Sequence, residues 1–329
     1  MMVPVVVVDA AGVSAPVASK DVLRDAAAGA AVVVVVPAWF GMADRHRLVT
    51  DIDRDRIRPV GLVSSTLAAA CGHAQTTTRE ESSPTVLCLD VRHGWSAGLV
   101  RFTSDGAAEV ASWALAPDGS TDRVIADADA VHRVLAAAKA CAGGDTVRSV
   151  LVIDDVGHRA QLVGDIVRQG GYPWTRCDVV VADGRLVLRG AASLGRRPGR
   201  ARHAVGALTY PLSVRAGDDA EHRTMHVVAA QHAPIPSTTR LTFALGPDDG
   251  APLHFDVFED PRGIAADETV EQPADNRVVL RAHLVRERGF DQNMVVTFDL
   301  GADGLLSIGP TKAWRLEWQP GSLQTGVVS

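Results

Sequence analysis

The chain has 329 residues, a formal charge of −6, 47% apolar residues and 22% charged ones. That size suits one large domain or two ordinary ones, and the apolar share can build a sizeable core, which excludes broad disorder. The mild acidity argues against a general nucleic-acid binder, because neutralising phosphates needs a basic field.

Met1-Met2-Val3-Pro4-Val5 carries no basic leader segment, so no secretory signal is expected. Cys71, Cys88, Cys141 and Cys177 are scattered, with no C-x-x-C pair, and fit a reducing, cytoplasmic setting. Ala26 to Ala43 is uncharged and long enough to raise a membrane helix. Gly29, Pro37 and Gly41 interrupt it, and the β-branched run Val32–Val36 predicts a buried strand instead, so no membrane span is expected. Asp51-Ile-Asp-Arg-Asp-Arg56 alternates in sign and reads as a solvated face.

Ser64-Ser65-Thr66 before an Ala-rich run is a helix N-cap signature. Val86–Asp90 predicts a strand, Gly98–Phe102 and Glu109–Leu115 a hairpin, and Val131–Ala142 a helix. The bare apolar strand Val150–Ile153 precedes Asp154-Asp155 and the helix Ala160–Arg168. Strands alternating with helices mean an α/β layer structure with a buried, partly parallel sheet. A basic, Gly/Pro-bearing stretch, Gly195–His203, reads as a solvated linker.

Beyond Leu208 the texture is all-β. His226–Ala229, Arg240–Leu245, Leu253–Phe258, Val278–Val285 and Val295–Leu300 alternate with period two, separated by turns such as Gly301-Ala-Asp-Gly304. That spacing predicts a sandwich, with Trp314, Leu316 and Trp318 on one face of a last strand.

Adjacent carboxylates on an extended chain point to opposite faces, so Asp154-Asp155 is read as capping the following helix rather than as a metal or acid/base dyad. His222 and His226 have the H-x-x-x-H spacing of a helical metal pair, but on a strand they stand roughly 13 Å apart. No nucleophile elbow or phosphate loop motif is present, so no catalytic residue and no metal ligand is assigned.

Several segments resemble, in order, the Hsp70 (DnaK-type) chaperones. Val32-Val-Val-Val-Val-Pro37-Ala-Trp-Phe40, followed by Arg45, is similar to that family's V-P-A-Y-F strand and its Arg; Val63-Ser-Ser-Thr66-Leu-Ala-Ala-Ala is similar to N-E-P-T-A-A-A-L. Leu87-Cys-Leu-Asp90-Val-Arg-His-Gly94 sits where D-L-G-G-G-T stands, Val150-Leu-Val-Ile153-Asp-Asp155 where V-L-L-V-G-G stands, and Gly190-Ala191-Ala192 resembles G-A-A. Tyr210-Pro-Leu-Ser213 resembles T-P-L-S, Pro234-Ile235-Pro236 the T-T-I-P stretch, and Val295-Val-Thr-Phe298-Asp299-Leu-Gly-Ala-Asp303-Gly304 the V-T-F-D-I-D-A-D-G strand and turn.

The resemblance implies a truncated actin-like α/β domain at 1–195, a linker at 196–207 and a substrate-binding-type β-sandwich at 208–329, without a helical lid after Trp318. It places a vestigial nucleotide site at Asp90, Gly94 and Gly190. The first phosphate hairpin has no clear counterpart, Arg92 and His93 replace glycines of the second, Asp154-Asp155 replaces the third Gly-Gly, and the catalytic Glu reads as Ser64. The expected function is therefore a non-catalytic pseudo-chaperone that binds a polypeptide partner, such as an assembly or secretion accessory factor, with no cofactor. The alternatives are a chaperone ATPase retaining ATP and magnesium, and a structural scaffold. Partner contacts are expected from Arg215, Asp218, Asp219, Leu241 and Phe243, with the two Asp giving the groove an acidic rim.

Overall fold

The computed structural model describes residues 5–9, 31–38, 40–54, 59–77, 85–92, 95–103, 106–115, 128–143, 147–155, 158–171, 174–195, 204–216, 225–244, 254–259, 277–284, 293–301, 304–309 and 314–318. The chain divides into two compact units: Met1–Trp39 with Asp51–Ala207, and Phe40–Thr50 with Leu208–Ser329. The fold is mixed α/β with several sheets.

In the first unit, β1 (Val5–Asp9), β2 (Ala31–Val36) and β3 (Pro59–Ser64) form a small parallel sheet, so the valine run is a strand. Helix α1 (Met42–Arg54) lies between β2 and β3 in sequence, and α2 (Ser65–His73) follows β3. The other elements are β4 (Thr85–Asp90), β5 (Trp95–Thr103), β6 (Gly106–Leu115), α3 (Ala128–Ala142), β7 (Ser149–Ile153), α4 (His158–Gln169), β8 (Asp178–Ala182), α5 (Gly184–Gly195) and β9 (Ala204–Ala207). The larger sheet runs β9-β6-β5-β4-β7-β8 within this unit. The β4-β5-β6 meander is antiparallel, and β4, β7 and β8 are parallel.

Burial on both faces explains why β4 and β7 read as bare apolar runs. On one face Leu87, Leu89, Val150 and Val152 pack against Val131 and Leu135 of α3 and Ala160 and Val163 of α4. On the other face Val86, Cys88, Leu151 and Ile153 meet Leu67 and Ala68 of α2 and Val187 and Ala191 of α5, together with Val33 and Val35 of β2. Helices α2 and α5 thus form a layer between the two sheets. No described helix is long and apolar enough to cross a membrane.

The second unit contains β10 (Leu212–Ala216), β11 (His226–Ala229), the two-residue β12 (Pro234–Ile235), β13 (Ser237–Ala244), β14 (His254–Glu259), β15 (Arg277–Leu284), β16 (Asn293–Leu300), β17 (Leu306–Gly309) and β18 (Trp314–Trp318). All of them but β12 build a five-stranded sheet, β11-β10-β14-β15-β18, and a three-stranded sheet, β13-β16-β17. All the pairings are antiparallel. Leu212, Phe255, Val257 and Leu280 of the first share one core with Phe243, Val296, Phe298 and Ile308 of the second, so the sheets face each other.

The sequence reading places each half on one stretch of chain; in the structure, Phe40–Thr50 belongs to the second unit. Met42 and Ala43, 1% and 3% exposed, lie in the core between the sheets. Buried Glu259 accepts the Met42 N–H at 2.8 Å, and Asp44 reaches back to the Gly41 N–H at 3.2 Å. Carboxylates at a helix start satisfy its orphan donors and complement its dipole. Buried Arg45 donates to Phe40 O and lies over Gly304, whose φ of +71° closes the turn Gly304 N–H to Gly301 O. The positive φ suits this turn to glycine, and an added Cβ would have to displace the Arg45 guanidinium. His46 stacks on Trp318 at 4.1 Å, and burial lowers its pKa.

The expected linker also ends differently: Ala204–Ala207 is strand β9, which pairs with β6 in parallel. Residues 196–203 lie outside the described residues. Limited trypsin should cut first at Arg196, Arg197, Arg200 or Arg202, giving fragments of roughly 20 and roughly 13 kDa. Because Met42, Ala43 and Arg45 are built into the second unit, the nicked fragments should co-elute on native gel filtration and separate only in denaturant. Separation under native conditions would disprove the discontinuous second unit.

Candidate functional site

In an open α/β sheet the crevice outside the carboxyl ends of the strands is where ligands usually sit. Here Asp90 ends β4, Asp154 follows β7, and α4 and α5 begin on either side of β8. The N-terminus of a helix is a ready anion site, with unpaired N–H groups and the positive end of the dipole.

Both helix ends are already met by carboxylates of this chain. Asp154, 4% exposed, accepts the Ala160 N–H in the first turn of α4 at 3.2 Å, and its own N–H bonds Ala182 O at 3.0 Å. Asp155 accepts the Gly184 N–H at the start of α5 at 2.9 Å. The two neighbouring carboxylates therefore serve two different helices, as their opposite directions on extended chain require.

Asp90 is equally committed. Arg92 folds back on it with Nε to Oδ1 at 2.9 Å and Nη2 to Oδ2 at 2.8 Å, both side chains 4% exposed. This forked geometry is the strong form of the Arg–carboxylate pair. A Cβ at Gly184 would stand 2.8 Å from both Arg92 Nη1 and Asp155 Oδ1, so the guanidinium reaches the start of α5 as well. Asp90, Asp154, Asp155 and Arg92 thus meet at this end of the sheet. Gly94 lies outside the described residues.

Gly190 belongs to another job. It sits inside α5, where a Cβ would fall on the Ala68 carbonyl of α2, and Gly72 of α2 meets the Leu186 carbonyl in the same way. The structure places Gly190, expected in a vestigial nucleotide site, at a helix–helix contact, where the missing side chain lets two backbones touch.

Among the partner-contact candidates, Asp218 and Asp219 lie outside the described residues. Arg215 sits on the five-stranded sheet, 3.7 Å from Asp256 and 5.1 Å from the centre of the Phe258 ring. Asp256 also pairs with Arg281 at 3.2 Å, and the register aligns Arg215, Asp256, Arg281 and Glu317 across four strands. Phe243 lies in the core: it is 5% exposed, tilted against Phe255 at 4.5 Å and edge-on to His226 at 5.5 Å. Leu241, two residues earlier, packs half-buried against the same core. Their inward parity leaves Thr238, Arg240 and Thr242 on the outer face of β13.

One polar centre has no counterpart among the sequence candidates. Glu109, 3% exposed in the middle of β6, accepts from Ser64 Oγ at 3.0 Å, from Thr66 Oγ1, and from the Ala207 N–H of β9 at 3.3 Å. Ser64 meanwhile accepts the Leu67 N–H at 3.2 Å as the α2 N-cap. Gly98 leaves the space, since a Cβ there would overlap Glu109 and Thr66. The available signal was a lone acid inside the apolar strand Gly106–Leu115. Burial pushes the Cys71 thiol up to about 12, and burial followed by the Glu109 charge raises Cys88, so neither is a thiolate near neutrality.

No model of a known protein family matches this sequence, and no curated protein matches it either.

Two substitutions check these assignments. Gly190→Ala normally favours a helix, yet here it should cost about 1–3 kcal/mol, measured by urea unfolding, because the new methyl strikes backbone. A neutral or stabilising result would remove the close helix contact. Asp154→Ala should cost about 1–2 kcal/mol by loss of the bond to Ala160, and Asp154→Asn should recover part of it.

Proposed function

We propose that this chain is a non-catalytic relative of the Hsp70-type chaperones: a shortened actin-like unit joined to a β-sandwich that holds a polypeptide partner. One observation carries the non-catalytic half. The strand-end crevice where a nucleotide's phosphates would lie is filled by the Asp90–Arg92 pair and by Asp154 and Asp155, each bound to a helix N–H. A polyphosphate would have to displace intramolecular carboxylates that need no association entropy, and would meet their negative charge. Like charges at contact distance cost several kcal/mol once water is excluded, roughly the whole of a micromolar affinity.

The partner-binding half is supported by the resemblance of the segments after Tyr210 and by two facing antiparallel sheets whose outermost strands, among the described residues, pair within their sheet on one side only. Extended peptides bind such edges by main-chain hydrogen bonds, with side-chain pockets giving selectivity.

Calorimetry of the whole chain with ATP and magnesium should show no binding tighter than millimolar; a micromolar Kd would overturn the non-catalytic reading. A peptide array probed with the whole chain should favour apolar segments flanked by Lys or Arg, and affinity should fall as salt screens the acidic rim within about 10 Å at 0.1 M. The pair Asp218→Ala with Asp219→Ala should abolish that salt dependence. An array without binders would sink the partner-binding reading.

A further inference from the structure

Strand β8 is the outermost strand of the larger sheet, and among the described residues its sole strand partner is β7. The side on which its backbone groups lie can be read directly. The Asp178 N–H donates to Arg148 O at 2.7 Å and Ala182 O accepts the Asp154 N–H at 3.0 Å, both on the β7 side. Backbone direction alternates along a strand, so Val179 and Val181 turn their N–H and C=O groups to the open side.

Edges of this kind are usually blunted by proline, lysine or a bulge. Asp178-Val-Val-Val-Ala182 has none of these, and its register with β7 is unbroken. Val181 is 46% exposed. On α5, Leu188 is 39% exposed on the flank turned away from the Leu186 and Gly190 contact with α2.

We propose that β8 is a dimerisation edge, and that its occupant is β8 of a second copy, antiparallel about a two-fold axis through Val180. In that register Val179 of one copy faces Val181 of the other, so the outward N–H and C=O groups of both pair reciprocally and Val180 meets its own counterpart. The charges select this occupant over a foreign strand. Each end of the paired ribbon gathers Arg176 and Asp178 of one copy with Asp183 and Arg185 of the other, two cations with two anions. Asp183 and Arg185 are on the surface to take part, their own pair being 3.9 Å apart with side chains 57% and 88% exposed. The segment is thus complementary to its own reversal. This inference is independent of the proposed chaperone-like role.

Sedimentation velocity of the whole chain at about 100 μM should show a dimer, a concentration well above the Kd of even a modest specific contact. Val181→Lys should weaken the dimer at least tenfold, whereas Val295→Lys, at the 55%-exposed valine of β16, should leave it intact. Val180→Cys places two thiols on facing residues about 4.5 Å apart at Cα, within disulfide range. It should give a covalent dimer on mild oxidation, lost again when Val181→Lys is added. A monomeric wild-type chain, or a dimer indifferent to Val181→Lys, would overturn the assignment. Should Val181→Lys fail to fold, absence of the Val180→Cys cross-link in otherwise native protein would do the same.

Discussion

Two glycines set the spacing of the first unit. Gly72 and Gly190 let α2 and α5 touch backbone to backbone, and these two helices fill the layer between the small sheet and the larger one. Any side chain there would push the helices apart, and the sheets on both sides would have to follow because packed interiors take up little strain. The position of α5 in turn fixes where Gly184 presents its N–H, and hence what Asp155 and Arg92 can reach. The polar crevice at the strand ends therefore depends on an apolar contact well inside the unit.

Polar groups in this unit follow a consistent rule. Among the described residues of this unit, the buried carboxylates each end on a backbone N–H or a fixed cation: Asp154 on Ala160, Asp90 on Arg92, Glu109 on Ala207 and two hydroxyls. Burying a charge costs several kcal/mol unless it is paired and hydrogen-bonded, and the first turns of helices supply that pairing cheaply. The same groups would be useful to an anionic ligand. A helix end serves either its own chain or a guest, and here it serves the chain.

Much of the layout was legible in the sequence, because doubly buried strands and capped helices leave local marks. Val150–Ile153, Val86–Asp90, the Ser64 cap and the period-two strands after Leu208 are of this kind, each set by residues a few positions apart. The transfer of Phe40–Thr50 to the second unit was not legible, since its warrant is a bond between Met42 and Glu259, 217 residues apart. The packing of Gly190 is hidden in the sequence for a related reason. A glycine pressed on a helix and a glycine cradling a phosphate both need the absence of Cβ, and the sequence does not say what fills the gap. Leu241 and Phe243 are expected to contact the partner, but alternation along β13 names two faces without saying which is covered.

The route of α1 has a kinetic consequence. During synthesis Phe40–Thr50 emerges early, with its apolar residues Met42 and Ala43 and its orphan N–H groups lacking the core and the Glu259 carboxylate that will receive them. At about 5–20 residues per second, the ribosome needs roughly 10–40 s to deliver that carboxylate. Closure of so long a loop costs entropy before it returns contacts, which slows folding. The second unit can therefore reach its native state only after Glu259 and the strands around it have been made, and the early helix must wait for partners that do not yet exist.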